Sequence, residues 1–165
     1  MSTTCLEKAR GSALIVAIFI LVVLAALGAA IVSLSSSAQI GAALDMQGAR
    51  ALQAARFGSE WGVYQLLRGA CSGGDFCARC QGASYATPVT QDLGSLAGSM
   101  STFTVTVSCG SGAASYTEGT STLWVYQITA NACNQASGGA CPNTSTAAVG
   151  SVGYVERRVS LTLTN

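Results

Sequence analysis

The stretch that decides the fold is Ser12–Leu44, SALIVAIFILVVLAALGAAIVSLSSSAQIGAAL, which carries no charged residue. Its first part, Ala13–Val32, is close to pure hydrocarbon. A helix of about 20 residues, rising ~1.5 Å per residue, covers a bilayer core roughly 30 Å thick, so this run is long enough to cross one. Twelve of the residues from Ala13 to Ile31 are Leu, Ile, Val or Phe. At roughly 0.3–0.6 kcal/mol each, they favour insertion by about 5 kcal/mol. A helix from a soluble core would show a polar face about every 3.6 residues. This run shows none before Ser33.

Immediately before it stands the head MSTTCLEKARG, with Lys8 and Arg10 next to Gly11. Basic residues stay on the cytoplasmic side, so the helix is expected to insert with its N-terminus inside and the rest of the chain outside. A secretory signal has a shorter apolar region, of about 7–15 residues, followed by a small-residue cleavage site. Here the small residue precedes the run. A cut after Gly11 removes the charged leader and keeps the membrane helix.

A short basic leader ending in Gly, then a small polar residue, then an unbroken apolar helix, resembles a type IV pilin-like (class III) signal. The resemblance implies that a prepilin peptidase cleaves between Gly11 and Ser12 and methylates the new amino terminus at Ser12. The segment GSALIVAIFILVVLAALG, the SSSA of Ser35–Ala38, ARALQAARFGSEW (Ala49–Trp61) and VERRVSLTL (Val155–Leu163) together resemble a narrower group. It is the minor pilin-like MshP family, which serves biogenesis of the mannose-sensitive haemagglutinin (MSHA) pilus. The match is specific in the N-terminal third and the last strand, and weak through the Cys-rich middle.

Several expectations follow from that resemblance. The partners are other pilins and minor pilins, met through the N-terminal helix, together with the prepilin peptidase, the inner-membrane assembly platform and the lipid bilayer. The location is a bacterial inner membrane, crossed once with the head periplasmic, and then a pilus at the cell surface. Major pilins usually carry Glu at the fifth mature position, where this chain has Val16. A carboxylate in hydrocarbon is tolerated only when paired, since a lone one costs several kcal/mol. Without it, Val16 offers no partner to a neighbour's amine, which suits a subunit at the filament tip. The same signal serves pseudopilins of type II secretion systems. A single-pass membrane-anchored binding protein is the other alternative, and it predicts no leader cleavage.

Composition excludes other classes. The 165 residues leave room for one domain and a membrane helix. The formal charge is +1, and after residue 11 there are six Arg against six acids, so no basic patch favours nucleic acid. His is absent, which removes the commonest general base. Neither a GxSxG elbow nor an SxxK pair occurs, so no catalytic residue, cofactor or metal is expected and the chain reads as a non-enzyme. Asn143-Thr144-Ser145 matches the N-glycosylation triplet, read here as chance in an exported bacterial-type protein.

The seven cysteines are Cys5, Cys71, Cys77, Cys80, Cys109, Cys133 and Cys141. Cys5 lies in the leader. The other six form an even set beyond the membrane run, expected as three disulfides out of 15 possible connectivities. Cys133–Cys141 is the best single pair, closing a short Gly/Ser/Asn-rich loop. Cys109 ends a predicted strand and is expected to reach Cys71, Cys77 or Cys80. Cys77-Ala-Arg-Cys80 resembles half a zinc site or a redox dithiol, but there is no second CxxC and its surroundings read as loop.

The remaining periodicity predicts an α+β, pilin-like fold. One long N-terminal helix, membrane-spanning in its first half, packs by its second half on a small antiparallel sheet. The segments are a leader (1–11), an apolar helix half (12–34), an amphipathic half (35–69), a Cys-rich loop (70–101) and a sheet head (102–165). Leu52, Ala55, Ser59, Val63 and Leu66 recur at three and four residues and mark the sheet-facing side. Arg50, Gln53, Arg56 and Glu60 face away, and Gly69 ends the helix. Gly28, Gly41, Gly48, Gly58 and Gly62 are expected to weaken it by about 1 kcal/mol each. Strands are expected over Thr102–Cys109, Thr122–Ala130 and Val152–Thr164.

Overall fold

Helix α1 runs without a break over Arg10–Leu67, 58 residues. Its first half follows from the absence of any Pro and from its many Leu and Ala residues, which have good helix propensity. The architecture is a computed structural model describing residues 10–68, 71, 73–112 and 116–164, with side chains from Ala13 onward. Leader residues 1–9, Cys5 among them, and the expected helix stop at Gly69 lie outside the described residues. The chain divides into two units, Met1–Ala43 and Leu44–Asn165, each taken here by itself.

The described residues of the first unit are all helix, and their apolar side chains are exposed. Phe19 is 67% exposed, Val32 70% and Leu34 72%. None of its most apolar 18-residue window is buried.

The second unit is α+β. After α1 come a short helix α2 (Phe76–Gln81) and strands β1 (Val89–Ser95), β2 (Thr104–Ser111), β3 (Tyr116–Glu118), β4 (Ser121–Leu123) and β5 (Val125–Cys133). A one-turn helix α3 (Thr146–Val149) and strand β6 (Glu156–Thr164) follow. The main sheet is antiparallel in the order β1-β2-β5-β6, and β3–β4 form a separate ribbon.

Residue alternation sets the sheet's two faces. The inner face of β2 is Val105, Val107 and Cys109, all fully buried. The register sets Val107 opposite Ala130 and Ala130 opposite Val159. It also sets Cys109 opposite Ile128 and Ile128 opposite Leu161. The residues of α1 from Ala51 to Leu66 lie over this face and share one core with it.

The helix face differs from the one its larger apolar residues mark. Ala55, Ser59 and Leu66 are buried as expected, but Leu52 and Val63 are only half-buried. The line of closest approach is Gly48, Ala51, Ala54, Ala55, Gly58 and Gly62. Small residues at three- and four-residue spacing let the helix backbone approach the sheet. A Cβ on Gly58 would stand 2.6 Å from Val105 Cγ1, and one on Gly62 would stand 3.1 Å from Ile128 Cγ2. These glycines are contact points, not defects. Gly48 is covered by Arg157, whose guanidinium nitrogen would lie 2.8 Å from an added Cβ, and this accounts for the Arg that interrupts the apolar face of β6.

The connection expected as loop over 70–101 contains α2 and the edge strand β1. β1 escapes the alternation rule because a bulge falls between Asp92 and Gly94, and Gly94 holds φ +71°. α2 is too short for periodicity to reveal. It is held by tertiary contacts: Phe76, Cys77 and Cys80 are buried, and the Phe76 ring sits 5.1 Å from Trp61. The strand expected over Thr122–Ala130 is divided at Trp124, with Ser121–Leu123 joining the ribbon and Val125–Cys133 the main sheet.

Candidate functional site

Two features are built for work beyond folding: the uncovered apolar helix, and the cysteine-braced head. The helix half from Ala13 is chemically simple. Aliphatic side chains project on every side, Val16 among them at 52% exposure. With no cover among the described residues, this surface incurs a penalty in water for each exposed Leu, Ile or Val. It is long and apolar enough to cross a membrane. Gly11 and Ser12 fall within the first turns of α1, and their side chains are outside the described residues. Gly28 and Gly41 have nothing within 4 Å of an added Cβ, so each leaves a small notch on the helix.

The six head cysteines are joined as Cys71–Cys77, Cys80–Cys109 and Cys133–Cys141, with Cα separations of 5.2, 5.4 and 5.7 Å. The pair singled out by loop composition, Cys133–Cys141, is present, and Cys109 takes Cys80 from its three expected candidates. The two cysteines of the CARC motif have different partners, so neither a CxxC disulfide nor a thiolate pair for a metal is formed. Among the described residues no group of three His, Cys, Asp or Glu is placed to hold a metal ion.

Each bridge pins a loop whose polar groups are then satisfied locally. Cys80–Cys109 fastens α2 to β2. Beyond it, the Ser111 hydroxyl donates to the carbonyls of Gln81 and Ala83, and Ser84 lies so close to Gly110 that a Cβ there would be 2.6 Å from the Ser84 carbonyl oxygen. Cys133–Cys141 folds the next loop back onto β2. There the buried Thr106 hydroxyl donates to Asp92 Oδ1 at 2.6 Å and accepts the Cys141 backbone N–H at 2.9 Å. The return into β6 is held by Asn134, which donates to the Gly153 carbonyl and accepts the Val155 N–H. Beside it the Tyr154 hydroxyl donates to Glu156 Oε2 at 2.6 Å and accepts the Asn143 N–H. Burial, then the bond to Glu156, raise the Tyr154 phenol above its ordinary value.

Sequence reasoning had no signal for the Thr106–Asp92 contact, because it depends on the β1–β2 register. Asn134 and Asn143 are both used as loop clamps. Comparison with protein-family models, with curated proteins and with solved structures returned no match.

Proposed function

We propose that this chain is a pilin-class structural subunit: a protein stored in a membrane by its N-terminal helix and drawn from there into a helical filament. More narrowly, the reading is a minor subunit for assembly of an MSHA-type IV pilus, with Val16 fitting a place at the filament tip. The observation that carries the proposal is the charge-free run Ser12–Leu44, set directly behind Gly11 of a basic leader and continuing into the helix that covers an antiparallel sheet.

The mechanism is packing. In the bilayer the apolar half satisfies its backbone internally as a helix and exposes only hydrocarbon. In a filament the same side chains exchange lipid for neighbouring helices, so the transfer costs little hydrophobic free energy. Small residues such as Gly28 allow the close helix contacts that replace lipid. The missing carboxylate at Val16 removes an acceptor for the amine of a following subunit, so growth beyond this subunit lacks one pairing. The disulfides suit an oxidising periplasm and surface.

The deciding experiment is intact mass and N-terminal sequencing of the chain expressed with and without an active prepilin peptidase. The expected product starts at a methylated Ser12 and appears only with the peptidase. A chain that still starts at Met1 or Ser2 beside an active peptidase overturns the proposal in favour of a membrane-anchored binding protein. Processing with export dependent on a type II secretion system, and no pilus defect on deletion, moves the reading to a pseudopilin. Val16→Glu tests the tip position: a tip subunit given the acceptor is expected to be found along the shaft.

A further inference from the structure

The face of the sheet turned away from α1 is polar, and the register places its side chains in rows. Thr90, Ser108, Thr129 and Ser160 stand opposite one another across all four strands. The next row is Asp92, Thr106, Asn131 and Arg158. The loop around Ser84 lies over one end of this face at Gly110, and the loop closed by Cys133–Cys141 lies over the other at Thr106. Between them is an open groove of about 230 Å³. Its floor is Ser108, Thr129 and Asn131. One side is Tyr85 and Pro88, and Gln127 and Arg158 complete the lining.

The walls are set before any ligand arrives. Tyr85 is 47% exposed, and its hydroxyl is fixed on the Val125 carbonyl at 3.1 Å. Its loop is tied by the Ser84–Thr87 hydroxyl pair and anchored beside the Cys80–Cys109 bridge. Opposite, Arg158 Nε donates to Asn131 Oδ1 at 2.7 Å, which orients the guanidinium and leaves both Nη groups without a partner among the described residues. The exposed Gln127 side chain is likewise unpartnered among the described residues, and no carboxylate lines the groove.

We propose that this groove binds a carboxylated sugar ring. A guanidinium with two free nitrogens takes a carboxylate in a bidentate fork. The Gln127 amide both donates and accepts, and the floor hydroxyls, of which Ser108 already donates to the Thr129 carbonyl and Thr129 pairs with Ser160, keep acceptor lone pairs, which suits ring hydroxyls. A half-exposed tyrosine at the edge supplies a flat apolar surface for the face of a pyranose. The volume lies below the ~300–1,000 Å³ of pockets for drug-sized ligands, which limits the occupant to about one ring. The site uses only the head and does not depend on the filament reading.

The test is titration of D-glucuronate, D-glucose and acetate into the full chain in a sugar-free zwitterionic detergent, read by saturation-transfer NMR and calorimetry. The expected result is saturable glucuronate binding with Kd of about 1 mM, and glucose and acetate each at least about tenfold weaker. Arg158→Gln is expected to lose about tenfold for glucuronate and with it the preference over glucose, and Arg158→Lys to fall between. Gln127→Ala changes an exposed residue and is expected to weaken binding about threefold with the fold intact. No saturable glucuronate binding by the unaltered chain overturns the proposal. Acetate binding as tightly as glucuronate, or unchanged affinity in both Arg158→Gln and Gln127→Ala, does so as well.

Discussion

Gly58→Ala is expected to destabilise the head, although the same change in an ordinary exposed helix would stabilise it. Two terms compete. Replacing Gly by Ala inside a helix gains about 1 kcal/mol from backbone entropy and propensity. At Gly58 the new methyl would sit 2.6 Å from Val105 Cγ1, 3.1 Å from the Ala130 Cβ and 3.3 Å from Val107 Cγ2. All three neighbours are fully buried and short, so none can swing aside at its tip. Either the helix lifts off the sheet or Val105 leaves its rotamer, and overpacking of this kind costs about 1–3 kcal/mol. The net loss is about 1 kcal/mol, or roughly 4 °C in Tm for a head of this size. Gly62→Ala is the internal comparison. Its nearest contacts are 3.1, 3.2 and 3.4 Å, so the neighbours need to give only slightly and the two terms nearly cancel. The assay is guanidinium unfolding of the full chain in micelles, followed by fluorescence of Trp61 and Trp124. A Gly58→Ala midpoint above that of the unaltered chain would refute the close approach of helix and sheet.

Other outcomes follow from the loop anchors. Converting Cys80 and Cys109 to Ser removes a bridge with a sequence separation of 29 and is expected to cost about 3.5 kcal/mol on the chain-entropy estimate. The same change at Cys133 and Cys141, separation 8, is expected to cost about 2.5 kcal/mol, so the order of the two denaturation midpoints is the check. Thr106→Val strands the buried Cys141 N–H, while the exposed Asp92 carboxylate turns to water, and is expected to cost about 1–3 kcal/mol, with Thr106→Ser restoring most of it. Tyr154 titrates higher in the folded head than in the unfolded chain, mainly through burial and next through Glu156. The unfolded chain therefore releases this proton first, and stability present below the ordinary tyrosine value of about 10 is lost as pH rises through the folded value. Tyr154→Phe is expected to flatten that alkaline decline in a pH series of melts.

The α+β layout was legible in the sequence, because two strong periodicities carry it. An uncharged run of membrane length declares a helix on its own, and the alternation of Phe103, Val105, Val107 and Cys109 declares a half-buried strand. The Cys133–Cys141 bridge was legible for a similar reason: short spacing and a turn-rich loop make closure cheap. Each of these depends on residues close together in the chain.

What tertiary structure alone decided was every feature set by approach between distant segments. Gly58 and Gly62 read as helix weaknesses until the sheet was placed against them, since a glycine's value at a contact depends on what lies opposite. α2 owes its helix to burial of Phe76 against Trp61 and to the Cys80–Cys109 bridge, neither of them local. β1 hides its alternation in a bulge that only pairing with β2 defines. The choice of Cys80 for Cys109, and the row that sets Asn131 beside Arg158, follow from strand register. Register is a property of paired strands, which a single strand's sequence does not contain.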